Sequence, residues 1–292
     1  MLKPVLKVFL LVISLSACTF LAQAQKVTEP TNTPAEWSKP YPPFRIAGNL
    51  YYVGTYDLAC YLITTPKGNI LINTGLLGSL LMIKANIEAL GFKLTNTKIL
   101  LTMQAHYDHM GAMARVKKLT GAKVMIDAKD AGVMADGGSS DYALGGHGFM
   151  YEPVQPDCLL KDKDTISLGG THIVMLHHPG HTKGSCSFLL DVKDEIRSYR
   201  VLLANMPTIV TDSKFSEIPA YPDIAKDYTY TLNAMRKLKF DLWLSAHASQ
   251  FDLHAKHQVG DKYNPSAFMD QAGYDAETSR LQAELDKKMK DK

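Results

Sequence analysis

The chain has 292 residues, 46% hydrophobic and 21% charged, and its formal net charge of +3 falls to +1 (3 − 2) without Lys3 and Lys7 of the first 24 residues. That composition suits a globular protein with a sizeable core, built as one large α/β domain or two smaller ones. With no basic stripe or lysine-rich run, it argues against a nucleic-acid partner.

Residues 1–24 read as an export signal. Lys3 and Lys7 form a charged beginning, VFLLVISLSACTFL is the apolar stretch, and Ala22-Gln23-Ala24 offers a small-residue cleavage site. The run is short for a membrane-spanning helix and ends in small residues. Leu15-Ser16-Ala17-Cys18 also resembles a bacterial lipobox, in which the cysteine is acylated. Either route predicts a mature protein outside the cytoplasm, in the periplasm, soluble after Ala24 or lipid-anchored through Cys18. Residues 25–43, rich in proline and threonine, read as an extended lead-in.

Short β-type runs follow at 44–46, 50–54, 59–64 and 69–72, separated by turn signals such as Pro66-Lys67-Gly68-Asn69. A helix is predicted over 79–90, stopped by Gly91. Then come a buried strand at 97–102, a helix at 110–119, a strand at 123–127 and a short helix near Lys129. A glycine-rich loop, GGSSDYALGGHG, occupies 137–148. The second half offers strands at 165–168, 171–176, 186–192 and 200–204, a helix over 223–238, a strand at 242–246 and a closing amphipathic helix over 276–290. Two blocks of strands followed by helix predict two sheets packed face to face with helices outside. Cys60, Cys158 and Cys186 are odd in number and show no C-x-x-C spacing; they read as buried small hydrophobes rather than ligands.

All ten histidines lie beyond residue 100. His106 and His109 sit in LTMQAHYDHMGA, His181 closes His177-His178-Pro179-Gly180-His181, and His247 follows a strand ending at Ala246. Each of these segments directly follows an apolar strand, where loops of an α/β sheet converge on ligand sites. In a tight turn, alternate positions such as 104 and 106 point the same way and can chelate one ion, leaving Asp108 and His109 to face a second one about 3.5–4 Å away. Imidazole and carboxylate suit Zn²⁺ with a position open for water, whose pKa falls towards ~7 to give a hydroxide nucleophile.

The pattern H-x-H-x-D-H at a strand end, a later G-H and a final histidine resembles the metallo-β-lactamase superfamily over about residues 44–257. The resemblance implies an αββα sandwich: one α/β domain over 44–292, two mixed sheets face to face with helices outside. The superfamily also holds thioesterases, lactonases, ribonucleases and sulfatases. Its bridging-aspartate hydrolases carry an acid where this chain reads Leu203-Ala204-Asn205-Met206-Pro207-Thr208. No cysteine stands there either, and His109 directly after Asp108 matches the subclass B3 arrangement. QAHYDH, HHPGHTKGSCSF, ANMP and AHASQFDLH resemble the GOB-type subclass B3 enzymes, which bear glutamine at the position of Gln104.

By that resemblance a first zinc takes Gln104, His106 and His181, and a second takes Asp108, His109 and His247. An amide oxygen is a weaker donor than imidazole, so the first ion is held less firmly. Asp108 would also serve catalysis by orienting the hydroxide. Asn205, Met206 and Thr208 stand where subclass B3 relatives hold the substrate carboxylate, and only the Thr208 hydroxyl among the last two can donate. Asn73, where many superfamily members have aspartate, would support the ligands from behind. The expected activity is zinc-dependent opening of β-lactams (penicillins, cephalosporins, carbapenems), hence antibiotic resistance, by a monomer needing no protein partner. No S-x-x-K motif of the serine β-lactamases is present. The alternatives are a lactonase or thioesterase of the same fold, or a non-catalytic zinc-binding periplasmic protein with Gln104 and Asn73 as marks of decay.

Overall fold

The computed structural model describes residues 26–290, so the signal-like residues 1–24 and Cys18 lie outside the described residues. The first half is a seven-stranded sheet ordered as its strands follow in the chain: β1 (Phe44–Ala47), β2 (Leu50–Tyr52), β3 (Tyr61–Thr65), β4 (Gly68–Ile72), β5 (Thr97–Leu101), β6 (Lys123–Asp127) and β7 (Cys158–Leu160). Pairing is antiparallel through β4 and parallel from β4 to β7. The parallel steps need crossovers, supplied by helices α1 (Leu80–Ala89), α2 (Tyr107–Met110), α3 (Met113–Thr120) and α4 (Ala131–Ala135).

The second half is a five-stranded sheet, β8 (Thr165–Leu168), β9 (Thr171–His177), β10 (Cys186–Lys193), β11 (Ser198–Ala204) and β12 (Leu242–Ser245). These run in reverse spatial order from β12 to β8, with β11 and β12 parallel and the others antiparallel. Helices α5 (Ile224–Met235), α6 (Leu253–Lys256) and α7 (Gln271–Lys290) complete the chain.

The apolar runs of the first sheet are explained by burial on both faces. Ile70 and Ile72, Ile99 and Leu101 join Ile173, Met175, Phe188 and Leu203 in the core between the sheets. Their neighbours Leu71 and Leu100 face the other way, into a second core with Ile83 and Ile87 of α1 and Met113 and Val116 of α3. The expected two mixed sheets with helices outside is therefore the architecture present.

Four features differ from the sequence reading. The helix expected over 110–119 is two helices, broken where the Gly111 amide donates to Gly75 O at 2.8 Å; a Cβ on Gly111 would lie 2.3 Å from the Leu76 carbonyl carbon. The strand β7 was not anticipated, since three residues carry too little alternation to read. Cys60 and Cys186 are buried, but Cys158 is exposed on β7; all three thiols are free. The segment preceding β1 is packed rather than merely extended: Tyr41 is buried, residues 35–37 form a 3-10 turn, and Glu29 accepts a hydrogen bond from the Leu77 amide.

Candidate metal centre

Five loops meet at one end of the two sheets, and each leaves the C-terminal end of a strand. After β4, Asn73 adopts φ 61°, a left-handed conformation that asparagine tolerates better than most side chains. Its Oδ1 accepts the Met103 amide at 3.0 Å and its Nδ2 donates to Ala59 O at 3.2 Å. Asn73 thus pins the start of the turn after β5. That turn delivers Gln104 and His106, and α2 delivers Asp108 and His109; all four are buried.

Asp108, His109 and His247 form one cluster, with a donor atom from each lying within 4.8 Å of the others. Asp108 Oδ2 is 3.2 Å from His109 Nε2 and 3.3 Å from His247 Nε2. Burial alone would raise the Asp108 carboxyl, but the two imidazoles hold it well below the usual carboxylate range. Burial pulls the His247 imidazolium down, yet Asp108 and Asp57 outweigh it and push the pKa up to about 9. Carboxylates that attract a proton so strongly also attract a metal cation.

His106 and His181 form the adjoining pair, ring centroids 4.9 Å apart. The His181 Nδ1–H donates to the Thr208 carbonyl at 2.8 Å, leaving Nε2 as its metal-facing nitrogen. Burial, with the nearby His106, lowers the His181 pKa to about 3, so the ring is neutral and able to ligate. His106 Nε2 lies 3.2 Å from Asp141 Oδ2.

The donors fit a metal on independent grounds. Among the described residues, the buried polar atoms without a hydrogen-bond partner include Gln104 Oε1 and His109 Nδ1. Buried donors of this kind are costly unless something binds them. A set of imidazoles, one carboxylate and one amide oxygen suits Zn²⁺. His106, Asp108, His181 and His247 share the floor of a cleft of about 400 Å³, rimmed by Trp37, Leu144 and Val210.

The remaining expectations divide. Thr208 lines the cleft, with its hydroxyl 3.1 Å from His181 Nδ1. Met206 and Asn205 do not line it: Met206 is 1% exposed within the inter-sheet core, and Asn205 is 2% exposed with its backbone N–H donating to Ser187 Oγ. Strand β11 ends at Ala204, residues 205–207 remain buried, and burial first eases at Thr208, so Met206 stays beneath the cleft that Thr208 lines. Of the histidine-rich turn after β9, only His181 reaches the cleft. His178 is buried on Ser187 Oγ, its pKa lowered by burial to about 4, and His177 pairs with Asp127.

Sequence reasoning missed three acids and a tryptophan. Asp57 accepts the His247 Nδ1–H at 3.2 Å, the Trp37 indole N–H at 3.0 Å and the Ser249 amide at 2.8 Å. Asp130 accepts from the Ala105 and Gly184 amides and the Thr182 hydroxyl, stitching the loops of His106 and His181 together. Asp141 backs His106. A lone acid in a turn carries no spacing signal, so only the fold could reveal them.

Comparison with known proteins agrees with this geometry. A sequence profile of the metallo-beta-lactamase superfamily matches residues 54–197. The chain is 69% identical to the class B3 di-zinc metallo-beta-lactamase LRA-12 from an Alaskan soil metagenome, with a TM-score of 0.89, over 90% of this chain and 100% of that one. The chain belongs to the class B3 metallo-β-lactamases. It is also 56% identical to the metallo-beta-lactamase GOB-18 from Elizabethkingia meningoseptica, with a TM-score of 0.91, over 92% of this chain and 100% of that one. An uncharacterized protein of Mycobacterium tuberculosis (strain ATCC 25618 / H37Rv) is 33% identical over 103 residues, 33% of this chain. The chain spans about half or less of the curated relatives it matches, 44% in that case.

Proposed function

We propose that the protein is a zinc-dependent β-lactamase holding two zinc ions, the first on Gln104, His106 and His181 and the second on Asp108, His109 and His247. The single observation that carries this reading is the tight Asp108–His109–His247 donor cluster beside the His106–His181 pair on one cleft floor. Bound zinc would supply Lewis acidity, polarising the lactam carbonyl and lowering the pKa of water towards ~7. Overall, water adds to the carbonyl carbon, the C–N bond opens, and the ring nitrogen leaves with a proton.

The chain's own residues do the rest. Asp108, ionised by its imidazole neighbours, accepts a hydrogen bond from the attacking water and orients it. Asp57 holds His247 through Nδ1 and leaves Nε2 directed at Asp108. Trp37, Leu144 and Val210 wall the cleft with apolar surface that packs on the substrate body and excludes bulk water. The Thr208 hydroxyl at the cleft wall is placed to meet the substrate carboxylate.

Penicillins, cephalosporins and carbapenems are the proposed range, with antibiotic resistance the consequence. The signal-like residues 1–24 support export to the periplasm, by cleavage at Ala24 or acylation at Cys18. Purified protein should turn over nitrocefin, lose the activity to a chelator and regain it with Zn²⁺. Chelator-resistant turnover, or lactone or thioester hydrolysis without nitrocefin turnover, would replace this reading.

A further inference from the structure

Two consecutive residues of the glycine-rich loop reach the two histidines of the proposed first zinc site by different routes. Asp141 Oδ2 accepts from His106 Nε2 at 3.2 Å, and its side chain is 2% exposed. Next to it, the Tyr142 hydroxyl donates to the turn carrying His181, with Gly180 O at 3.2 Å and His181 O at 3.1 Å. The other Asp141 oxygen is committed to the loop itself, accepting the Ala143 amide at 2.9 Å and the Leu144 amide at 2.8 Å. The loop closes on itself tightly: a Cβ on Gly145 would lie 2.3 Å from Asp141 O and 2.5 Å from Ser139 O. Leu144, so fixed, stands at the cleft rim.

We propose that Asp141 and Tyr142 are the positioning pair of the first zinc site, and that zinc binding there orders the loop that carries Leu144 over the substrate. The proposal rests on the two-zinc reading above. Its logic is one of tautomer and reach. A carboxylate on Nε2 fixes the proton there and leaves Nδ1 of His106 as the nitrogen for the metal. The carboxylate also makes the imidazole a stronger donor, which matters more in a site whose third donor is the neutral amide of Gln104. Among the described residues, the neighbouring second cluster is supported instead by Asp57 and by Asp108 itself. The loop should therefore respond to one ion and not to the other.

The test uses the two-zinc protein and chelator competition, which reads the affinity of each ion without relying on turnover. Asp141→Asn keeps the oxygen that caps the loop but turns an amide N–H towards His106 Nε2, favouring the tautomer that cannot ligate through Nδ1. It should weaken the first zinc by ~10–100-fold, the usual cost of losing a partner behind a metal ligand, and leave the second zinc unchanged. Tyr142→Phe, which keeps the ring packed on Tyr221, should weaken the same ion less. Asp141→Glu, which restores the charge, should hold the first zinc more tightly than Asp141→Asn even if its metal-free form melts lower. In hydrogen exchange, the first zinc should slow the amides of residues 137–148 in the parent protein and not in Asp141→Asn. Equal loss of both ions, unchanged affinity, or equal protection of the loop in Asp141→Asn would overturn the assignment. If His181→Ala still binds two zinc ions, the two-zinc reading fails first and this proposal falls with it.

Discussion

The two halves of the site solve the same problem with opposite placements of charge. In the second cluster the carboxylate is itself among the donors: Asp108 touches both His109 and His247, and Asp57 stands behind His247. In the first, every proposed donor is neutral, and the carboxylate of Asp141 sits one bond further out, behind His106. A cation in the second half meets a formal charge directly, while one in the first meets only dipoles polarised from behind. Coulomb attraction falls with distance, so the second half should bind metal more tightly and tolerate substitution less.

The sharpest way to break this comparison is to neutralise the charge that the two halves place differently. Asp108→Asn keeps the volume and removes the carboxylate from the donor set. We expect kcat to fall by at least ~10², as for loss of a preorganised electrostatic group, and the second zinc to be lost on dialysis. Near-normal kcat in steady-state assays would show that Asp108 neither orients water nor holds metal.

Next in size is Thr208, which stands between the two halves of the argument by touching both His181 and the cleft. The Thr208 carbonyl already fixes His181 at 2.8 Å, so the hydroxyl is the part to remove. On the proposed role, Thr208→Val would delete one charge-assisted hydrogen bond to a substrate carboxylate, commonly ~1.5–3 kcal/mol. That predicts a roughly 10- to 150-fold loss in kcat/KM, mostly in KM when ground and transition states share the contact. An analogue lacking the carboxylate should be spared. Equal slowing of both substrates would assign the hydroxyl to His181 alone.

A smaller change should bring the two halves closer together. Gln104→His replaces an amide oxygen with an imidazole, and the first zinc should then bind about tenfold more tightly in equilibrium dialysis. Equal retention by the two proteins would mean that Gln104 Oε1, buried without a hydrogen-bond partner, is not a weak metal donor.

The sequence pointed to the proposed donors of both halves but to little of what holds them. His106, His109, His181 and His247 were legible because each follows an apolar run, and such runs end where a sheet's loops converge. Asn73 was legible by position in the turn after β4. The supporting acids were not, because Asp57 and His247 lie 190 residues apart and Asp141 and His106 lie 35 apart. No periodicity links such pairs; the packing of the two sheets does. Trp37 was hidden inside a proline-rich stretch whose composition reads as a tether, although its indole is anchored to Asp57. Met206 shows the converse: its place in a motif suggested the cleft, while its apolar side chain belongs to the inter-sheet core. Composition reports what a residue prefers, and the fold decides which preference is met.

The smallest expected effect tests whether His–carboxylate pairing also acts outside the metal site. His177 Nδ1 lies 2.7 Å from Asp127 Oδ2, with the His177 side chain 24% exposed and that of Asp127 3%. Burial pulls the His177 pKa down, but the hydrogen bond and charge of Asp127 more than offset it, so the folded value is raised above 6.5. A histidine with a raised folded pKa binds its proton more tightly in the native state. Its contribution to stability is therefore complete below pH 6.5 and is lost as pH rises through the folded pKa. Partial exposure limits the pair to about 1 kcal/mol or less. In urea unfolding of metal-free protein, His177→Asn should be less stable than the parent near pH 6, and the gap should narrow as pH rises above 6.5. The ligand histidines titrate alike in both proteins and cancel in the difference. A gap that is constant from pH 6 to pH 9 would mean that His177 contributes by packing and neutral hydrogen bonding, and that charged pairing is confined to the cleft.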